Sequence, residues 1–192
     1  MAAELQRRNI NVAEYHRMAE AGILRPRERV ELLRGDIVKM APIGDPHRGT
    51  VNRLTRLLSA SFSDRACVQV QNPVVVGDDS EPEPDIALLK INEAAWGERA
   101  AYPSDIIALV EVAQTSRDAD LNVKPLLYGQ SHVPEYWVVD LIEHVVRVYR
   151  EPGPDGYRTT LVVRSGEAIA LSAYPLEPLA VDDILPRPHL PS

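Results

Sequence analysis

Two acidic residues stand in apolar company in this chain. Asp85 opens the run Asp85-Ile86-Ala87-Leu88-Leu89, and Glu111 lies within Ile106-Ile107-Ala108-Leu109-Val110-Glu111-Val112-Ala113. Short apolar runs rich in β-branched residues read as buried strands. A carboxylate in such a strand needs a cation, an opposite charge or a dense set of hydrogen bonds, because burying it alone is costly. The two acids are 26 residues apart (111 − 85), enough for one strand, a loop and the adjacent strand. Carboxylates meeting at one end of a sheet suit Mg²⁺ or Mn²⁺. Such an ion grips a phosphate oxygen and lowers the pKa of a bound water, and phosphodiester hydrolysis needs both effects. It also gains from a cation near the attacking water. Lys124, 13 residues after Glu111 (124 − 111), is the natural candidate, with Tyr128 four residues further on the same helix face. Ordinary readings stand beside these: Asp85 could end a strand next to Pro84, and Asp120 is a helical ion-pair partner for Lys124.

The elements that must position these residues are legible in outline. Asn11 can cap a helix to about Ala21, with Gly22 as its stop. Val30–Leu33 and Asp36–Met40 flank Arg34-Gly35 as a hairpin. From His47 the apolar residues Val51, Leu54, Leu57, Leu58 and Phe62 recur at helical steps. Strands are expected at Cys67–Val76, with Pro73 at an edge or bulge, then at Asp85–Lys90 and Ile106–Ala113. Trp96 and Tyr102 are expected to anchor the polar stretch between the last two. A second helix runs from Asp118 or Asn122 to Gln130. Pro125 fits its first turn if Asn122 is the cap and kinks it otherwise. Pro134–Leu141 and His144–Arg150 make a strand pair, followed by Tyr157–Arg164, Ala168–Leu171 and a short closing segment. The expected class is α/β, a mixed sheet with helices on it, and the 192 residues suit one domain.

In this order the residues resemble the PD-(D/E)xK nuclease superfamily, and within it the bacterial "Uma-two" group of restriction-endonuclease-like proteins. The matching stretches are Val12-Ala13-Glu14-Tyr15, Arg29 to Val38, Met40-Ala41-Pro42 with His47, Glu83-Pro84-Asp85-Ile86, Val110-Glu111-Val112-Ala113, Lys124 with Tyr128, and Val133-Pro134-Glu135-Tyr136-Trp137-Val138-Val139-Asp140. The resemblance implies a restriction endonuclease-like αβββαβ core: a mixed central sheet flanked by helices, with extra C-terminal strands. It implies Asp85 and Glu111 as metal ligands, joined by the Val112 carbonyl, and Glu31 as a further acid. His47 is implied at phosphate or at a metal-bound water. One departure matters. The superfamily lysine usually follows the second acid by two residues, where this chain has Ala113; Lys124, on the next helix, fits a displaced lysine.

Composition narrows the alternatives. The formal net charge is −7, which argues against strong general affinity for nucleic acid but leaves room for a local basic groove. No stretch is long and apolar enough to span a membrane, the N-terminus lacks a signal-like apolar region, and the single cysteine, Cys67, reads as a reduced core residue. These features point to a cytoplasmic protein. There is no Gly-x-Ser-x-Gly elbow and no Walker loop. The histidines His16, His47, His132, His144 and His189 show no zinc spacing. The resulting expectation is an Mg²⁺- or Mn²⁺-dependent DNA endonuclease, a homodimer because a duplex has two strands, with contacts at strand edges after Pro134. The alternative is a catalytically inactive module on the same fold that binds nucleic acid or a protein partner.

Overall fold

The computed structural model describes residues 8–92 and 98–186. Helix α1 (Val12–Glu20) precedes a hairpin of β1 (Val30–Leu33) and β2 (Asp36–Lys39). There follow α2 (Asp45–Phe62), β3 (Ala66–Val70), β4 (Ile86–Lys90), β5 (Ile106–Ala113), α3 (Lys124–Gln130), β6 (Glu135–Asp140), β7 (Val145–Gly153) and β8 (Gly156–Val163). The short β9 (Ala168–Ile169), β10 (Leu179–Ala180) and α4 (Val181–Ile184) close the order. The central sheet runs β3-β4-β5-β6-β7-β8. Its β5–β6 pair is parallel and its other pairs are antiparallel. From α2 to β6 the order is αβββαβ, and β7 and β8 extend the sheet as expected. A parallel pair requires a long crossover. The crossover from β5 to β6 carries α3, and with it Lys124.

Local chemistry sets the elements. Asn11 Oδ1 accepts the Glu14 N–H at 2.8 Å while Glu14 Oε2 accepts the Asn11 N–H at 3.2 Å, a reciprocal cap that starts α1. Arg34 and Gly35 both have positive φ, 51° and 79°, as a tight two-residue hairpin turn demands. Helix α2 starts at Asp45, two residues before the first helical step read from the sequence, with Pro46 in its first turn. Its Val51, Leu54, Leu58 and Phe62 pack on Ile86, Leu88, Ala108, Val110 and Val112. The opposite sheet face, with Ala87, Leu89, Leu109 and Ala113, packs against Leu127 and Tyr128 of α3. Strands covered on both faces read as continuous apolar runs, which is why β4 and β5 were visible in sequence.

Three expectations are corrected. β3 ends at Val70, not Val76: Gln71 has φ of 47°, and the chain then leaves the sheet, with Val74 bridging Ala101 instead. The helix before Gln130 is neither capped at Asn122 nor simply kinked. It opens with a π turn, Ala119–Val123, in which the Lys124 N–H donates to the Ala119 carbonyl. That wider register leaves the Asp120 carbonyl facing Pro125, which has no N–H, and the Tyr136 hydroxyl donates to it at 2.9 Å. The Tyr102 ring is exposed, under the Arg99 guanidinium at 5.2 Å, rather than packed into the core; Trp96 lies outside the described residues. Cys67 is only part-buried, at the margin of the core. Of the strands after Pro134, β8 alone forms a free edge of the central sheet, because β6 and β7 are paired on both sides. No described helix is long and apolar enough to cross a membrane.

Gly129 lets α3 approach the β7–β8 turn. A Cβ there would lie 2.6 Å from Gly156 Cα, so a side chain must push α3, and Lys124 with it, off the sheet. Gly129→Ala is expected to lower stability by about 2 kcal/mol in urea unfolding. An unchanged midpoint would contradict this packing.

Candidate active site

The acids lie where β4 begins. Ile86 pairs with Val110 in the last pair of the β4–β5 ladder before Asp85. The Asp85 N–H donates to Glu111 Oε2 at 3.2 Å, and the Val112 N–H donates to Asp85 Oδ2 at 2.9 Å. The Asp85 side chain thus takes the Val112 N–H just past the end of the ladder.

Each carboxylate takes a base from a different layer. His47, in the first turn of α2, places Nε2 2.9 Å from Asp85 Oδ2, and the Gln71 amide donates to Oδ1 at 3.2 Å. His47 Nδ1 is buried with no hydrogen-bond partner. From the other layer, Lys124 Nζ donates to Glu111 Oε1 at 2.7 Å and lies 3.5 Å from both Glu31 Oε2 and Asp120 Oδ1. The Tyr128 hydroxyl reaches Glu111 Oε1 at 3.4 Å from one turn further along α3. Glu31, on β1, also accepts the Glu83 N–H at 3.2 Å.

The residues singled out in sequence, Asp85, Glu111, Lys124, Glu31 and His47, thus line one cleft of about 320 Å³, and the buried Val112 N–H bonds to Asp85. Among the described residues, no three His, Cys, Asp or Glu side chains are gathered as a ready-made metal cluster; the carboxylates are engaged by the chain's own donors instead. Sequence reasoning missed three participants. Asp120 appeared only as a helical partner for Lys124, yet it is 1% exposed. Glu83 lines the cleft half-buried, and Gln71 turns back to Asp85. Glu83 had a signal, its place in the same Pro-x-Pro segment as Asp85. Asp120's burial depends on the π turn, which had none. A larger cavity of about 770 Å³ beside β3 does not share these residues, and its Asp105 is already bound by Arg99 and the Tyr102 N–H.

The sequence matches the Uma2 family model, described as "Putative restriction endonuclease", over residues 12–181. The chain belongs to the Uma2 family. Its fold is similar to the crystal structure of "a putative nuclease belonging to DUF820" from Anabaena variabilis, with a TM-score of 0.71 and 18% identity over 91% of this chain and 97% of that one. A type IIG restriction endonuclease, BpuSI, aligns over 58% of this chain and 12% of its own length, at 12% identity and a TM-score of 0.38. Among curated proteins no sequence match is found.

In this Uma2 chain the two acids have opposite electrostatics. Burial alone would raise the Asp85 pKa, but the His47 hydrogen bond and charge, the Val112 N–H and the Gln71 amide outweigh it and hold the carboxyl below its ordinary value. Burial pushes Glu111 well above its ordinary value despite Lys124, with Asp120, Asp85 and Glu31 adding to the rise. Lys124 is held well above its ordinary value: burial opposes this, and Glu111 leads the surrounding negative groups that outweigh it. Asp85 favours its charged form more when folded than when unfolded. Its contribution is therefore present above the unfolded value near 3.8 and is lost as pH falls through the folded value. Removing the imidazole in His47→Ala is expected to raise the Asp85 pKa and to move acid unfolding to higher pH. Carboxyl ¹³C titration and circular dichroism measure the two effects; an Asp85 titration indifferent to His47 would contradict the assignment.

Proposed function

We propose that this chain is a divalent-metal-dependent DNA endonuclease, hydrolysing phosphodiester bonds at the Asp85–Glu111 rim. The observation that carries the reading is the donor set. Two carboxylates, Asp85 and Glu111, are brought together where the β4–β5 ladder ends, and hard oxygens of this kind suit Mg²⁺ or Mn²⁺. Asp85, Glu111 and the Val112 carbonyl would hold the ion. When bound, it would polarise a phosphate oxygen and acidify a water.

The chain's own residues supply the rest. Lys124, buried beside Glu111, orients the attacking water and offsets charge growing on the phosphate oxygens. His47 fixes Asp85 through Nε2, and its buried Nδ1 has no hydrogen-bond partner. Glu31 steadies Lys124 from the hairpin. Exposed Arg29 and Lys39 at the cleft wall give local positive charge for the DNA backbone on an otherwise acidic chain. In the hydrolysis, water oxygen bonds to phosphorus, the ester P–O bond breaks, and the departing sugar oxygen takes up a proton. The proposal includes a homodimer joined at the free β8 edge, so that two sites meet two strands.

A second reading, a module that binds nucleic acid or a protein partner without cutting, is favoured by one observation: Lys124 is tied to Glu111 rather than free. Incubation with duplex, branched and single-stranded DNA separates the two. The endonuclease reading expects Mg²⁺- or Mn²⁺-dependent cleavage that Asp85→Ala abolishes in a folded protein and that Lys124→Ala slows about a hundredfold. Intact DNA under every condition, with a salt-sensitive DNA shift that survives EDTA and Asp85→Ala, supports the second.

A further inference from the structure

Asp120 has a role that ion pairing on a helix surface does not explain. It is 1% exposed, and its Oδ2 accepts the Ser116 hydroxyl. Its Oδ1 accepts no hydrogen bond, a costly state for a buried carboxylate oxygen. The charged group facing that oxygen is the Lys124 ammonium, 3.5 Å away, while the same ammonium is 2.7 Å from Glu111 Oε1. An ammonium has three protons to give, and a shift of about 1 Å would bring it within ordinary hydrogen-bond reach of Asp120. Asp120 itself is fixed. Its carbonyl is held by the Tyr136 hydroxyl at 2.9 Å, and its place in the π turn sets it beside Lys124 without closing the contact.

We propose that Asp120 is a positioning residue, an anionic berth that receives the Lys124 ammonium when a divalent cation takes Glu111. The inference rests on Glu111 being a metal ligand, as proposed above. In the metal-free state Lys124 is the internal counter-cation of Glu111 and so competes with the metal. A divalent ion arriving at Glu111 repels the ammonium. Without Asp120, the remaining acid within 3.5 Å of the ammonium would be Glu31, whose Oε2 already accepts the Glu83 N–H. With Asp120 in place it moves a short way, frees Oε1 and stays beside the reacting phosphate. Glu31, also 3.5 Å from Nζ, flanks the same path. The device is an exchange of cations at one carboxylate, with Asp120 setting how readily the exchange occurs.

Calorimetric titration with Mn²⁺, without substrate, tests this, with thermal unfolding as the check on folding. Lys124→Met, which removes the competing ammonium, is expected to bind Mn²⁺ at least about tenfold more tightly than the unaltered chain. Asp120→Asn is expected to bind it about fivefold more weakly, and Asp120→Glu to recover most of the loss. With Lys124→Met already in place, adding Asp120→Asn should change affinity by less than about threefold. Equal weakening by Asp120→Asn in both backgrounds would make Asp120 itself a ligand and overturn the proposal. So would Mn²⁺ binding that needs Glu111, shown by its loss in Glu111→Gln, yet is unchanged or weaker in Lys124→Met. If Lys124→Met does not fold, the Asp120 variants decide: Mn²⁺ affinity unmoved by Asp120→Asn overturns the berth. An Mn²⁺ affinity unmoved by Glu111→Gln overturns the metal reading and the berth with it, and is distinguishable on that ground.

Discussion

Glu31, Asp85, Glu111 and Asp120 are each no more than 7% exposed, and Glu31, Glu111 and Asp120 lie within 3.5 Å of one ammonium, that of Lys124. Among the described residues Lys124 is the lysine or arginine with less than a tenth of its surface exposed. At 2.7 Å and an effective dielectric of about 20, its attraction to Glu111 is on the order of 6 kcal/mol. Taking the two charges out of water costs several kcal/mol each. The pair is therefore near break-even, and the surplus of buried carboxylate is not compensated by it. That excess of anion over cation is the constraint the architecture is built around. It explains why Glu111 is pushed towards its neutral form, and why a further positive charge would be welcome there.

The fold delivers this arrangement through connections that serve packing as well. A parallel β5–β6 pair obliges the chain to cross over the sheet, and the crossover brings Lys124 and Tyr128 to the face that carries Glu111. The same crossover hands its uncapped Asp120 carbonyl to Tyr136, a core residue of β6. On the other face, α2 buries its apolar stripe and presents His47 from its first turn to Asp85. The two acids are thus held at the junction of both layers, each steadied from a different side. Where the β4–β5 ladder ends, the Asp85 carboxylate takes the Val112 N–H. The proposed metal site would draw on these oxygens, and the bases behind them would face a phosphate, in a chain of the Uma2 family, described as "Putative restriction endonuclease".

Much of this was legible in the sequence, for identifiable reasons. β4 and β5 announced themselves because strands buried on both faces are uninterrupted in apolar residues, and an acid in such a run stands out. The start of α1 was legible because Asn11 and Glu14 form a local reciprocal cap. The Arg34-Gly35 turn was legible because its backbone demands are met within two residues. What escaped depends on contacts distant in sequence. β3 was read six residues too long because Val74, Val75 and Val76 keep a strand's composition after Gln71 has turned the chain out of the sheet. Asp120 was legible as a neighbour of Lys124 but not as a buried acid, since its burial follows from a π turn stabilised by Tyr136, 16 residues away. Tyr102 was assigned an anchoring role on residue type alone, and its cation–π contact with Arg99 lies at the surface.

The central claim is that the Asp85–Glu111 rim holds a divalent cation, and anomalous diffraction from crystals soaked in Mn²⁺ tests it most directly. The account predicts an anomalous peak bounded by the two carboxylates and the Val112 carbonyl, with oxygen distances of about 2.1–2.2 Å, and the Lys124 ammonium no longer on Glu111. Saturating Mn²⁺ that leaves this rim without a peak, and Lys124 still bonded to Glu111 Oε1, would contradict it.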